Sequence, residues 1–228
     1  LAGCLLLSCT AFSQDFIPAY DRFSGKETSY ITLENGTKLE GTLEDLDRRK
    51  GLIEEVVIKD ATGKKITLKP DQIKSMYLMP SGLSKLSTNM DVGTKVKKWD
   101  AQYIDSEIIK KGYAYFEKAK VVLKKDQEML LMQLLNPGFN SKIKVFHDPF
   151  AAETMRVGFG GMTMAGGDDK SYYVQAGDLP AKKLKKKEYE DEIKVMYASC
   201  PTLVKKIGEK LRWSEFAKHV YEFSFECP

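Results

Sequence analysis

The first half of the chain alternates apolar and polar residues with a period of two. Ile31 and Leu33 alternate with Thr32 and Glu34, Asn35-Gly36 supplies a hairpin turn, and the alternation returns through Leu39, Gly41 and Leu43. Val56 and Ile58 continue it, Ala61-Thr62-Gly63 turns the chain, and Ile66 and Leu68 come back. Pro70-Asp71-Gln72-Ile73 predicts a single helical turn ahead of a short strand, Met76-Tyr77-Leu78. Residues 15–80 therefore read as a small all-β unit, a curled sheet or a β-barrel-like one.

Residues 81–112 break the alternation and read as a connection, with one capped helical turn over Ser106 to Lys111 ending at Gly112. Residues 113–228 form the second unit. Ala119, Val121 and Leu123 alternate with lysines, and Lys125-Asp126-Gln127 turns. Met129 to Leu135 is nearly all apolar, as a strand covered on both faces is. Asn136-Pro137-Gly138 turns again, Ile143, Val145 and His147 follow, and Asp148-Pro149 ends that strand. Met155, Val157 and Phe159 mark another strand, and Gly158 to Gly167 a flexible hairpin closed by Ser171 to Val174. From Lys182 the period becomes about 3.6, through Leu184, Tyr189, Ile193 and Met196-Tyr197. Pro201 suits a first helical position, and Ser214 is placed to cap a third helix. The fold class is α+β, with an antiparallel β-meander and C-terminal helices after the first sheet.

Two resemblances arise from these motifs. The stretch Tyr30 to Leu78, with N-G-x-x-x-x-G opening a bent second strand, resembles Sm-like and other small bacterial barrels in shape. Leu131 to Phe139, Lys142 to Phe150, Ser171 to Val174 and the lysine-rich run leading to Cys200-Pro201 together resemble secreted or envelope proteins of unknown function from Bacteroidetes. That second resemblance implies an exported protein and assigns no catalytic residues.

Residues 1–14 are uncharged and mostly apolar, and Asp15 follows at once. They read as the remnant of a signal peptide, with Ala11-Phe12-Ser13 as a small-x-small cleavage site. They are too short for a bilayer span of about 18 to 20 residues. Leu1 to Cys4 and Leu6 to Cys9 also resemble lipoboxes. Leu5-Leu6-Leu7 speaks against Cys4, whereas polar residues after Cys9 make it the lipidation candidate. Simple cleavage, lipidation at Cys9 and retention as a buried helix are the alternatives, and only a lipid anchor would bring a membrane into play.

The formal charge of +4 is carried mainly by lysine, and arginines occur only at positions 22, 48, 49, 156 and 212. Few bidentate phosphate forks and an exported location both argue against nucleic acid. The mature chain keeps Cys200 and Cys227, a disulfide candidate in an oxidising compartment that would close a loop of about thirty residues and contribute about 3 to 4 kcal/mol. The alternative is a buried thiol beside Pro201 and a second thiol at a frayed terminus.

Candidate chemistry is sparse. Gly158 to Gly161 and Gly166-Gly167 lack the Lys and following helix of a phosphate loop. Met162 and Met164 at that tip are a candidate contact surface. His147-Asp148 is a neighbouring histidine–carboxylate pair at a strand end, and His219 reads as a partly exposed helix-flank residue. Cys200 with His219 is a conceivable nucleophile–base pair, disfavoured by Pro201. Asp168-Asp169 lacks a calcium-loop pattern, and the two cysteines and two histidines lack zinc spacing. No catalytic, cofactor-binding or metal residue is assigned. The expectation is a non-enzymatic binding or structural module of the cell envelope, periplasmic or lipid-anchored, with an unidentified envelope partner. The alternatives are an envelope hydrolase acting on glycan or peptide through scattered carboxylates, and attachment of Lys182 to Lys187 to anionic lipid or polymer.

Overall fold

The computed structural model of the chain describes residues 15–82, 98–150 and 171–228. Among these residues ten antiparallel strands lie in one sheet: β1 (Thr28–Leu33), β2 (Lys38–Arg49), β3 (Leu52–Lys59), β4 (Lys65–Leu68), β5 (Ile73–Leu78), β6 (Ala114–Leu123), β7 (Asp126–Leu134), β8 (Ile143–His147), β9 (Ser171–Ala176) and β10 (Lys182–Lys185). Their spatial order is β10-β9-β8-β7-β6-β5-β1-β2-β3-β4. With the C-terminal helices this is an α+β fold. The sheet curls until β3 approaches β7 across the core, but it does not close, so the barrel-like form of the expectation is corrected to an open sheet.

Local chemistry accounts for the first meander. Asn35 Oδ1 accepts the Thr37 N–H at 3.0 Å, and Gly36 takes a positive φ of 85° that a side chain would resist. A Cβ at Gly41 would stand 2.5 Å from the Lys59 carbonyl oxygen, so only glycine lets β2 bend that closely over the start of the β3–β4 turn. β2 runs through Glu44 to Asp47 to a tight turn at Lys50-Gly51, with register shifts between Leu43 and Asp45 and between Asp47 and Arg48. The strand predicted from Met76 begins at Ile73, after the expected helical turn at Pro70–Gln72.

β5 pairs directly with β6, from Ser75↔Glu117 to Leu78↔Ala114, so strands from both halves of the chain share one sheet. Between them lies α1 (Ser106–Lys110), capped by Asp105, whose carboxylate accepts the Glu107 and Ile108 N–H groups. The β6–β7 turn sits at Lys124-Lys125, one residue before its expected place, with Lys124 at a φ of 57°. Further along β6, the Val122 N–H and the Lys120 carbonyl both bond to Ala181, folding the approach to β10 back onto the middle of the sheet.

Lys182–Lys185 is a strand rather than the start of a helix. It pairs with β9 from Lys182↔Val174 to Lys185↔Ser171, and four residues with one buried apolar side chain fit either period. The helical period takes over afterwards, in α2 (Tyr189–Met196), α3 (Pro201–Glu209) and α4 (Phe216–Glu226). Pro201 does occupy the first turn of α3, whereas Ser214 falls inside a 3-10 turn, Trp213–Glu215, that leads into α4.

Two apolar cores result. The sheet core contains Ile31, Val56, Ile58, Ile73, Met76 and Leu78; the helical core lies between α2–α4 and β8–β10. β8 and β9 serve both, since Val145 and Tyr172 face the helices while Phe146 and Tyr173 face the sheet core. The N-terminal strap joins them as well. Phe16 packs against Phe139, Tyr172 and Phe216, and the Ile17 N–H donates to the Leu135 carbonyl at 2.8 Å. Gln133 then holds the strap from the sheet side, accepting the Tyr20 N–H and donating to the Pro18 carbonyl.

Candidate functional site

His147 and Asp148 are neighbours in sequence but serve different surroundings. Asp148 is fully buried; its Oδ2 lies 2.6 Å from both Ser171 Oγ and Lys183 Nζ, and its Oδ1 accepts the Phe150 N–H. These contacts fasten the end of β8 to β9 and β10. His147 lines a small cavity of about 60 Å³ with Tyr20, Asp21, Arg48 and Gln133. Arg48 Nη1 donates to the Asp21 carbonyl at 3.2 Å, and its guanidinium lies over the Phe23 ring. Burial pushes the His147 pKa down, with Asp21 and Asp148 opposing and Arg48 assisting, so the imidazole is neutral at pH 7.

A larger pocket lies between α3 and α4 and has a volume of about 320 Å³. Lys206 and Lys210 stand one helical turn apart along α3 and its C-cap, while Lys218, His219 and Glu222 share one face of α4. Arg212 and Glu215, from the connecting turn, complete the wall. His219 is only 3% exposed, not the partly exposed flank residue that its sequence context predicts. The reason is non-local. Its Nδ1 lies 2.7 Å from the Tyr189 hydroxyl, thirty positions earlier, and the Tyr197 hydroxyl lies 3.3 Å from that of Tyr189. Burial raises the pKa of both tyrosines, so each keeps its proton.

The two tyrosines thus tie the imidazole into a hydroxyl chain through Nδ1, while Nε2 lies on the side of Glu215 Oε2 at 3.7 Å. Burial lowers the His219 pKa, and Lys218 adds to this against the carboxylates of Glu215 and Glu222. Glu222 is 6% exposed; its Oε1 pairs with Lys206 Nζ at 2.8 Å, and its buried Oε2 has no hydrogen-bond partner among the described residues. The pocket thus gathers a buried imidazole, a guanidinium fork and three ammonium groups beside two carboxylates. The signal available in the sequence was the i, i+4 spacing of Lys206 with Lys210 and of Lys218 with Glu222, but not the pairing of α3 with α4.

The Sγ atoms of Cys200 and Cys227 lie 2.08 Å apart, joining the N-cap of α3 to the end of α4. Lys142 Nζ reinforces that end by donating to the carbonyls of Phe223, Cys227 and Pro228. Cys200 is therefore not a free nucleophile for His219. The lysine run is not a uniform patch either, because Lys183 binds Asp148 and Lys185 binds Glu188. Cys9, Met162 and Met164, together with the strand expected around Met155 to Phe159 and the Asp168-Asp169 pair, lie outside the described residues. Among the described residues no cluster of three or more His, Cys, Asp or Glu side chains is arranged to hold a metal, and no helix is long and apolar enough to cross a membrane. Comparison with protein-family models, curated proteins and solved structures returns no match in any of the three.

Proposed function

We propose that the chain is an exported, non-enzymatic binding or structural module of the bacterial cell envelope. The observation that carries this reading is the Cys200–Cys227 pair, held at disulfide distance where the N-cap of α3 meets the end of α4. Such a linkage persists in oxidising compartments and is rare in the cytosol of mesophiles. The use of the histidines agrees with it. His219 is tied into a tyrosine chain and His147 is enclosed beside Arg48, so among the described residues neither adjoins a free thiol. The apolar segment at residues 1–14 supplies the export signal in this reading.

If Cys9 carries a lipid, the six residues Thr10 to Asp15 separate the anchor from Phe16 in the helical core. A tether of that length reaches about 25 Å at full extension, which keeps the fold close to the membrane face. Intact mass of the chain from fractionated native cells, with and without reduction, tests the proposal. The expected result is a processed chain outside the cytoplasm that gains two hydrogens on reduction, with an acyl addition only in the anchored form. An unprocessed chain in the cytosol with both thiols free would overturn it.

A further inference from the structure

We infer that the pocket between α3 and α4 binds a phosphorylated ligand, a dianion of the phosphomonoester type. The inference deepens the binding-module reading by naming a site and a ligand chemistry, and it rests on that reading only for where the ligand is met.

The charge balance comes first. Lys206, Lys210, Arg212 and Lys218 face Glu215 and Glu222, leaving two cations in excess while His219 is neutral. A dianion matches that excess. The donors fit as well. Arg212 presents a planar fork suited to two oxyanion oxygens, and Lys210 and Lys218 line the same pocket as point charges. Both Arg212 and Lys210 are solvent-exposed side chains, so their donors are open to a ligand.

The floor of the pocket is prearranged. His219 is buried, and its Nδ1 is engaged by the Tyr189 hydroxyl, which leaves Nε2 on the side of Glu215 in the pocket wall. Lys206 is oriented by Glu222, whose Oε1 lies 2.8 Å from its ammonium group in the pocket wall. A volume of about 320 Å³ exceeds the needs of inorganic phosphate and accommodates the group that carries it.

Tyr189 acts as a positioning residue, since its hydroxyl touches the imidazole, and Tyr197 acts through Tyr189. Removing the Tyr189 hydroxyl releases the imidazole and should weaken binding a few-fold without altering the charge of the pocket.

Calorimetric titration of the purified full chain with inorganic phosphate, and with a soluble sugar phosphate, tests the site. Saturable binding is expected. Arg212→Gln and Lys210→Gln should each weaken it about tenfold or more, the loss of one charge-assisted contact. Both positions are exposed, so circular dichroism should show an unchanged fold. Lys187→Gln, at the 3-10 turn before α2, should leave the affinity as it was. Co-sedimentation with phosphatidylcholine vesicles containing phosphatidic acid, against phosphatidylcholine alone, separates the two sources. Retention that Arg212→Gln abolishes identifies a lipid headgroup; binding to the soluble esters alone identifies a free phosphomonoester. No saturable heat with either soluble probe would overturn the inference, and so would an equal loss in Lys187→Gln. Because these measurements use purified protein, their failure leaves the envelope reading standing, and a cytosolic location leaves the pocket chemistry standing.

Discussion

The sheet core is filled largely by aliphatic side chains, Ile31, Val56, Ile58, Ile73 and Leu78 among them, and its polar neighbours form ion pairs at the surface. The helical core is aromatic. Phe16, Tyr172, Tyr189, Trp213 and Phe216 make a continuous set of ring contacts, and a hydroxyl–imidazole chain is sunk among them. On the sheet side, long antiparallel registers hold the backbone, and exposed pairs such as Lys65–Glu44 add little. On the helical side, helices of 8, 9 and 11 residues are too short to persist in water alone. They depend on docking, on the cysteine pair and on Lys142 at the end of α4. The polar groups that such a layer must bury for its own cohesion are the same groups that shape its pocket.

The largest expected effects come from truncating one side chain in each core. Phe216→Ala should cost about 3 to 5 kcal/mol and Ile58→Ala about 2 to 5 kcal/mol. The two tryptophans report separately, because Trp213 lies in the helical core and Trp99 packs against the sheet core. Single-tryptophan variants, Trp99→Phe and Trp213→Phe, therefore read each core in a urea titration. Coincident transitions are expected, since the N-terminal strap and the two-faced strands β8 and β9 couple the cores. A helical transition well below the sheet transition would break that coupling and make the cores separate cooperative units.

Loss of the cysteine pair ranks next. Closing a loop with a sequence separation of 27 contributes about 3.5 kcal/mol in the chain-entropy model. Cys200→Ser with Cys227→Ser should lower the urea midpoint accordingly, with the Trp213 signal at least as sensitive as that of Trp99. A reduced protein as stable as the oxidised one would show that docking alone holds the helices.

The strands and helices were legible where one local rule dominated. Asn35-Gly36, the alternation around Ile31 and Ile58, and Pro201 at a helix start all act within a few residues. β2 was harder, because the alternation through Leu39, Gly41 and Leu43 stops there, while the structure extends the strand to Arg49, paired with β3. β10 was misread because its short run suits either period, and only the edge of β9 selects a strand. The pairing of Cys200 with Cys227 was legible as a candidate from compartment and count. The pocket was not, since Tyr189 meets His219 only after α2 and α4 have packed, and burial of a histidine is a property of that packing. The adjacent pair that stood out in the sequence, His147-Asp148, is divided between a small cavity and a strand clamp.

The smallest effect is the pH dependence, and it compares the cores through one histidine each. Burial lowers the pKa of His147 beside the sheet core and of His219 in the helical core, below an unfolded value of about 6.5. The unfolded chain therefore binds protons first as pH falls. Stability is full above about pH 7 and declines as pH drops through the unfolded value toward the lower folded ones, with a slope of at most about 1.4 kcal/mol per pH unit for each histidine. The carboxylates that Lys partners hold low, Glu44 by Lys65 and Lys59 and Glu107 by Lys110, act only below this window, where stability is lost as pH falls through their folded values. Urea midpoints measured from about pH 7.5 to 5.5 should fall steadily in the natural chain. His219→Asn keeps an acceptor for the Tyr189 hydroxyl, removes one titrating group and should reduce the slope while the His147 contribution remains. An unchanged slope would place the proton uptake at His147 and show that the helical layer keeps its imidazole neutral throughout.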